Sequence, residues 1–105
     1  AELQKLVPGI RPCAFGHVGD GNVHFNLSRP LDMSDDDFRA LEPAIHKTVY
    51  DRTSAMGGSI SAEHGIGRLR RGELATYKSP VALDVMRGIK ATLDPNGIMN
   101  PGKVL

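Results

Sequence analysis

The stretch Gly16-His-Val-Gly-Asp-Gly-Asn-Val-His24 decides the fold of this chain. Asp20-Gly21 is a strong β-hairpin signal, because a type I′ turn needs positive φ at both central residues and Asp-Gly supplies it. A two-residue loop there pairs His17 directly with His24 across the strands, with Cβ atoms roughly 5 Å apart. The sequence therefore predicts a hairpin that presents two imidazoles side by side.

The same register divides the hairpin residues between an apolar face and a polar face, as in an antiparallel pair with one buried side. The apolar face comprises Ala14, Gly16, Val18, Val23, Phe25 and Leu27. The polar face comprises Phe15, His17, Asn22, His24 and Asn26. A register shift of one residue would separate the histidines from this polar face. We therefore expect the apolar face to be covered by helices and the polar face to carry function.

Composition sets broad limits on the class of protein. A chain of 105 residues has the length of one domain, and its net charge of +1 does not favour nucleic acid or an anionic membrane as a partner. No apolar run approaches the roughly 20 residues of a membrane span. The single Cys13 excludes an internal disulfide and favours a reducing compartment, so we expect a cytoplasmic protein. Residues 1–7 have helical spacing without a cap or an initial Met, which indicates an element that begins earlier.

Two longer helices are predicted, over about 35–56 and 80–93. Ser34 and Ser79 are suitable N-cap residues, and Pro80 suits a first helical position. Pro43 either kinks the first helix or marks its true start near Glu42. The first helix has an apolar stripe of Phe38, Leu41, Ile45, Val49 and Met56, which we expect to cover the hairpin. The second has a stripe of Val81, Val85, Ile89 and Leu93, which we expect to be core.

These elements predict an α+β fold in which an antiparallel sheet is covered by helices on one face. The sheet consists of the hairpin, at about 11–28, and a short strand at about 58–62. The strand leads into Glu63-His64 and a Gly-rich loop.

His17, His24 and Glu63 form a candidate metal site on this fold. Imidazole is the commonest transition-metal ligand, and two histidines with one carboxylate leave coordination positions open for water or substrate. Zinc suits this set, and Mn and Fe(II) suit it too. His64 is expected to point away from Glu63, where it is free to act as a base. A pair of cross-strand histidines is also often a structural hydrogen-bonding group, and the combination with Glu63 favours the metal.

Two other motifs have less specific readings. Gly16, Gly19 and Gly21 lack the spacing of a dinucleotide-binding loop. The basic residues at 68, 70 and 71 are usually a solvated face, and an anionic ligand is the alternative.

Three motifs carry a resemblance to a known family. They are residues 17–26 (HVGDGNVHFN), 58–67 (GSISAEHGIG) and 93–103 (LDPNGIMNPGK). From about Val7 to Leu105 the chain resembles the C-terminal part of the FAD-linked oxidases of the vanillyl-alcohol-oxidase type. The similar members include D-lactate dehydrogenases, the glycolate oxidase flavin subunit and D-2-hydroxyglutarate dehydrogenase.

The resemblance implies oxidation of a D-2-hydroxy acid, with hydride transfer to FAD and a divalent metal that anchors the substrate. It assigns the metal to His17, His24 and Glu63, and the base to His64. It also implies that Asn26 contacts the substrate and, less directly, that Asn100 lies near the flavin or the active site.

The FAD-binding domain of that family is absent from this chain, which we expect to be a single partial C-terminal substrate domain of a longer enzyme. We expect it alone to bind no FAD and to oxidise no substrate. An open sheet edge favours a homodimer through strand addition. A small His/His/Glu metal hydrolase and a non-catalytic metal-binding domain are the alternatives.

Overall fold

A computed structural model describes the whole chain, residues 1–105. Its elements in order are α1 (Glu2–Leu6), β1 (Arg11–His17), β2 (Asn22–Ser28), α2 (Asp35–Ala40), α3 (Glu42–Ala55), α4 (Arg71–Tyr77) and α5 (Pro80–Leu93). They divide into two compact units, Ala1–Met56 and Gly57–Leu105. The two-stranded antiparallel sheet and the five helices confirm the α+β fold. No helix combines the length and the apolar character needed to cross a bilayer.

The predicted hairpin forms, but with a different register. β1 and β2 pair His17 with Asn22 and Phe15 with His24, so the direct pairing of the two histidines is wrong. The observed register is displaced by two residues from the predicted one. Because side chains alternate with a period of two, this displacement leaves every residue of the two strands on the face that the sequence predicts, whereas Val18 lies in the loop.

The difference in register comes from a wider turn. The sequence predicts a two-residue loop at Asp20-Gly21, whereas the loop spans four residues, 18–21, with a 3₁₀ turn over Val18–Asp20. The amide of Gly21 donates to the carbonyl of Val18 at 3.3 Å, and Gly21 alone adopts positive φ, at 65°. The wider loop thus spares Asp20 the left-handed conformation that a type I′ turn would impose on it.

The core of the first unit lies beside the hairpin rather than on its apolar face. Val7 and Ile10, on either side of the turn after α1, are almost fully buried, and Ile45 of α3 packs with them. The partly buried residues around them are Leu3, Leu27, Met33, Phe38 and Leu41. A side-chain ion pair between Arg52 and Glu2 also joins α3 to α1. The apolar stripe of the helices therefore covers the turn after α1.

The expectation that helices cover the sheet is therefore wrong, with Leu27 as the exception. Every residue of β1 is exposed, and Val23 and Phe25 of β2 are 63% and 40% exposed. Met56, the last member of the predicted stripe, is also exposed.

Pro43 ends one helix and begins the next, as the sequence predicts. α2 ends at Ala40, and α3 begins at Glu42 with Pro43 in its first turn. Proline is tolerated there because the amides of a first turn have no intrahelical acceptor. The Ser34 hydroxyl caps α2 by accepting the amide of Asp37 at 3.1 Å.

The predicted strand at 58–62 is wrong: this segment of the second unit is a loop. The serine side chains of this segment form hydrogen bonds with nearby backbone groups, which are then not paired with a neighbouring strand. The Ser59 hydroxyl donates to the carbonyl of Ser61, and the Ser61 hydroxyl donates to the carbonyl of Gly65, both at 2.8 Å. Such side-chain bonds compete with strand pairing, which explains why an apparently strand-like stretch remains irregular.

α5 has the predicted limits, but its apolar stripe is not core in this chain. The Ser79 hydroxyl accepts the amide of Ala82 at 3.1 Å and Pro80 is the first helical residue. The buried apolar residues of the second unit are Leu74 and Leu83. The stripe residues Val81, Val85, Ile89 and Leu93 are between 55% and 74% exposed. The second unit contains only α4 and α5, which leaves the stripe uncovered.

A buried carboxylate ends α5. The side chain of Asp94 accepts the amides of Ile98 and Met99 at 2.9 and 3.0 Å, and the ammonium of Lys90 also donates to it. Lys90 donates in addition to the carbonyl of Met99. These bonds join the end of the helix to the tail that follows it.

Candidate metal centre

The structure places His17 and His24 on the same face of the hairpin, as the sequence predicts. His17 is the last residue of β1, and His24 is the third residue of β2. Their ring centroids are 5.7 Å apart and the ring planes make an angle of 61°. Two imidazoles on neighbouring strands are thus held close together by backbone pairing rather than by flexible loops.

This separation suits a shared metal ion. With a metal–nitrogen bond of about 2.0–2.1 Å, each ring centroid of a bound imidazole lies roughly 3.2 Å from the metal. Two such rings in a tetrahedral site have centroids about 5 Å apart. The observed separation of 5.7 Å is close to that value. His17 is exposed and His24 half-buried, so the pair is open to an incoming ion.

Glu63 and His64 lie in the second unit, on the loop between Ser61 and Gly65. The bond from the Ser61 hydroxyl to the carbonyl of Gly65 closes this loop, and Gly65 has φ of 67°. The closure holds Glu63 and His64 at the tip of a defined turn.

The side chain of His64 turns toward Glu63 rather than away from it. Its Nε2 lies 3.8 Å from Oε2 of Glu63, which is beyond hydrogen-bond distance. His64 remains 82% exposed, so its imidazole is accessible for proton exchange.

The two asparagines lie in different units. Asn26 is exposed on β2, two residues beyond His24 and on the same face, opposite Cys13. Asn100 lies in the tail with φ of 47°, a left-handed conformation that asparagine tolerates better than most residues. Its carbonyl accepts the amide of Lys103 at 3.3 Å. The hairpin therefore brings together His17, His24 and Asn26, and the second unit contains the remaining candidates.

Phe15 is a neighbour of the site to which the sequence pattern assigns no role. The Phe15 ring stacks on the imidazole of His24, with centroids 4.9 Å apart and planes at 11°. The signal in the sequence is an aromatic residue on an otherwise polar face. The predicted register does not place Phe15 opposite His24, so it does not indicate the stack.

Comparisons with known proteins place the chain in a family. A family model described as "FAD linked oxidases, C-terminal domain" matches residues 1–104. The chain is 46% identical over 90 residues to D-2-hydroxyglutarate dehydrogenase of Stutzerimonas stutzeri, a match that covers 86% of this chain and 19% of that protein. It is 48% identical over 91 residues to the mitochondrial D-2-hydroxyglutarate dehydrogenase of Danio rerio, covering 87% and 16%. It is 41% identical over 95 residues to D-lactate dehydrogenase of Anaerostipes hadrus, covering 90% and 20%.

The chain thus spans about a fifth of the length of these curated relatives. The family match extends over nearly all of its residues. The chain therefore belongs to the family of FAD linked oxidases, C-terminal domain.

Proposed function

We propose that this chain is the C-terminal substrate domain of a flavin-dependent dehydrogenase that oxidises a D-2-hydroxy acid. Membership of the FAD-linked oxidase family supports the use of FAD as the cofactor. The names of the relatives, D-2-hydroxyglutarate and D-lactate dehydrogenases, support the substrate class. The observation that carries the proposal is the pair of histidines, His17 and His24, on one face of the hairpin.

In this proposal His17, His24 and Glu63 hold a divalent metal, with zinc preferred and Mn or Fe(II) as alternatives. The donor set supports it, because two imidazoles and one carboxylate leave positions for a hydroxy acid. When bound, the metal supplies a Lewis acid and FAD supplies the hydride acceptor.

The remaining site residues position the substrate and move its proton. His64 accepts the hydroxyl proton at an imidazole nitrogen, a role supported by its exposure. Asn26 donates an amide hydrogen bond to the substrate from the face that bears His24. Asn100, in its left-handed turn, contacts the flavin or the active site.

Metal titration tests the ligand set. We expect the protein to bind one equivalent of Zn²⁺, and His17→Gln, His24→Gln and Glu63→Gln each to weaken binding by at least about tenfold, since even the loss of a residue that only supports a ligand costs about 10–100-fold. His46→Gln is the matched control, because His46 lies on the surface of α3 with its Nε2 3.7 Å from Glu42. Equal affinities for the His17 and His46 variants would exclude the metal centre.

A chimaeric enzyme tests the reaction. This chain replaces the matching segment of the Stutzerimonas stutzeri dehydrogenase, and turnover is measured with D-2-hydroxyglutarate and D-lactate. We expect activity with at least one of them, and a loss of about 10²–10⁴-fold in kcat for His64→Gln if His64 is the base. An unchanged kcat would remove that role. Ester hydrolysis by the chain with Zn²⁺ alone would favour the hydrolase instead.

Three further expectations stay predictions. These are the inactivity of the chain alone, its cytoplasmic location and its dimerisation through the open sheet edge. The zebrafish relative is named as mitochondrial, so the compartment needs its own measurement.

A further inference from the structure

Phe15 occupies an unusual position for a phenylalanine. It lies on the polar face of the hairpin, and its side chain is 54% exposed. The core of the first unit contains Val7, Ile10 and Ile45, and Phe15 is not among the residues packed against it. Hydrophobic burial therefore does not explain why a large aromatic residue stands at this place.

The ring of Phe15 contacts the imidazole of His24. The two residues are directly opposite each other in the strand register. Their ring centroids are 4.9 Å apart and their planes make an angle of only 11°, which is the geometry of offset-stacked aromatic rings. A cross-strand pair of this kind fixes the relative position of both side chains.

Stacking leaves the chemistry of His24 available while it restricts the motion of the ring. Phe15 covers one π face of the imidazole, whereas both ring nitrogens lie at the edge. Rotation of the imidazole about its Cβ–Cγ bond would separate the two parallel faces. The edge of the ring is thereby held in place beside His17, whose ring is 5.7 Å away at 61°.

We propose that Phe15 is a positioning residue for the metal centre: its ring holds the imidazole of His24 in the orientation that shares an ion with His17. This inference rests on the proposed metal site of His17, His24 and Glu63, and it adds a residue that does not itself bind the ion. Phe15 lowers the cost of ordering a ligand before the ion arrives, and such ordering raises affinity without a new bond to the ligand.

The experiment compares Zn²⁺ affinity, measured by competition with a chromophoric chelator, in matched variants. Phe15→Leu removes the stack and keeps an apolar side chain. Phe25→Leu makes the same change on the opposite face of the same hairpin, where Phe25 is 40% exposed. Phe15→Tyr keeps the aromatic face and tests for rescue.

We expect Phe15→Leu to bind Zn²⁺ roughly three- to tenfold more weakly, as follows from the usual strength of an aromatic pair. Phe25→Leu should stay within about twofold of the parent protein, and Phe15→Tyr should restore the parent affinity. Equal losses in the two leucine variants, or no rescue by tyrosine, would overturn the positioning role.

Magnetic resonance of the metal-free protein separates this inference from the proposed function. Ring-to-ring Overhauser contacts between His17 and His24 should be present in the parent and in Phe15→Tyr, and weakened in Phe15→Leu. Retention of those contacts in Phe15→Leu overturns the positioning role. A parent protein that shows the contacts but does not bind Zn²⁺ overturns the metal centre itself.

Discussion

Replacement of Gly16 by alanine is the sharpest test of the hairpin geometry. Gly16 pairs with Val23 near the turn end of the hairpin, one residue before His17 and one before His24. A Cβ added there would overlap the carbonyl oxygen of Asn22 and lie 3.0 Å from both the carbonyl carbon of Asn22 and the Cα of Val23. All three atoms belong to the backbone, so no side-chain rotation can relieve the contact.

The strands must therefore separate to admit the methyl group. Overpacking of this kind typically costs about 1–3 kcal/mol, which corresponds to about a 5- to 140-fold change in an opening equilibrium. An isolated two-stranded sheet has little stability of its own, so the loss falls on the hairpin before the rest of the chain. The same displacement moves His17 away from His24, and Zn²⁺ affinity should fall with it.

The assay is hydrogen exchange of the hairpin amides, with Zn²⁺ titration on the same samples. Gly19→Ala is the control, because a Cβ at Gly19 meets no atom within 4 Å and the residue has no positive φ. We expect Gly16→Ala to accelerate exchange by about 5- to 140-fold and to weaken Zn²⁺ binding. We expect Gly19→Ala to be neutral, or more stable by up to about 1 kcal/mol. Identical exchange in the two variants would refute the register and the close approach of the strands.

Three further outcomes can be checked by thermal and chemical unfolding. The hydrogen bond from Lys90 lowers the pKa of the Asp94 carboxyl, so this group stabilises the fold above its unfolded-state pKa of about 4, and the contribution is lost as the pH falls through its folded-state pKa. Asp94→Asn should therefore make the melting temperature less dependent on pH between about pH 5 and 2. The same pH dependence in the variant and the parent protein would contradict this. Ser79→Ala should lower the free energy of unfolding by about 0.5–2 kcal/mol through loss of a helix cap, and Ser79→Asp should retain most of it. Leu83→Ala should cost about 2–5 kcal/mol because Leu83 is 6% exposed, whereas Val81→Ala, at 74% exposure, should change stability by less than about 0.5 kcal/mol.

Local signals in the sequence predicted the hairpin faces and the helix starts well. Ser34 and Ser79 cap helices because their hydroxyls accept amides within the next turn, an interaction that needs no distant residue. The alternation of side chains along the strands predicts that His17 and His24 lie on one face. This prediction is correct although the predicted loop is too short, because a displacement of two residues preserves side-chain direction.

The errors concern interactions that the local pattern does not contain. The stripe of α5 predicts that something covers it, but amphipathicity does not say whether that partner belongs to the same chain. The segment 58–62 has an apolar residue between serines, and its side-chain bonds outweigh its strand propensity. The stack of Phe15 on His24 required the true register, which the width of the turn decides.

The bonds around Asp94 determine where the chain can be shortened. A chain that ends at Leu93 lacks the Asp94 carboxylate, which accepts these bonds. A chain that ends between Asp94 and Met99 keeps this buried carboxylate but loses one or both of the amides that donate to it. A variant that ends beyond Met99 retains both amides as well as the carbonyl that accepts Lys90. An affinity tag added anywhere beyond Met99 should accordingly leave this linkage between helix and tail intact.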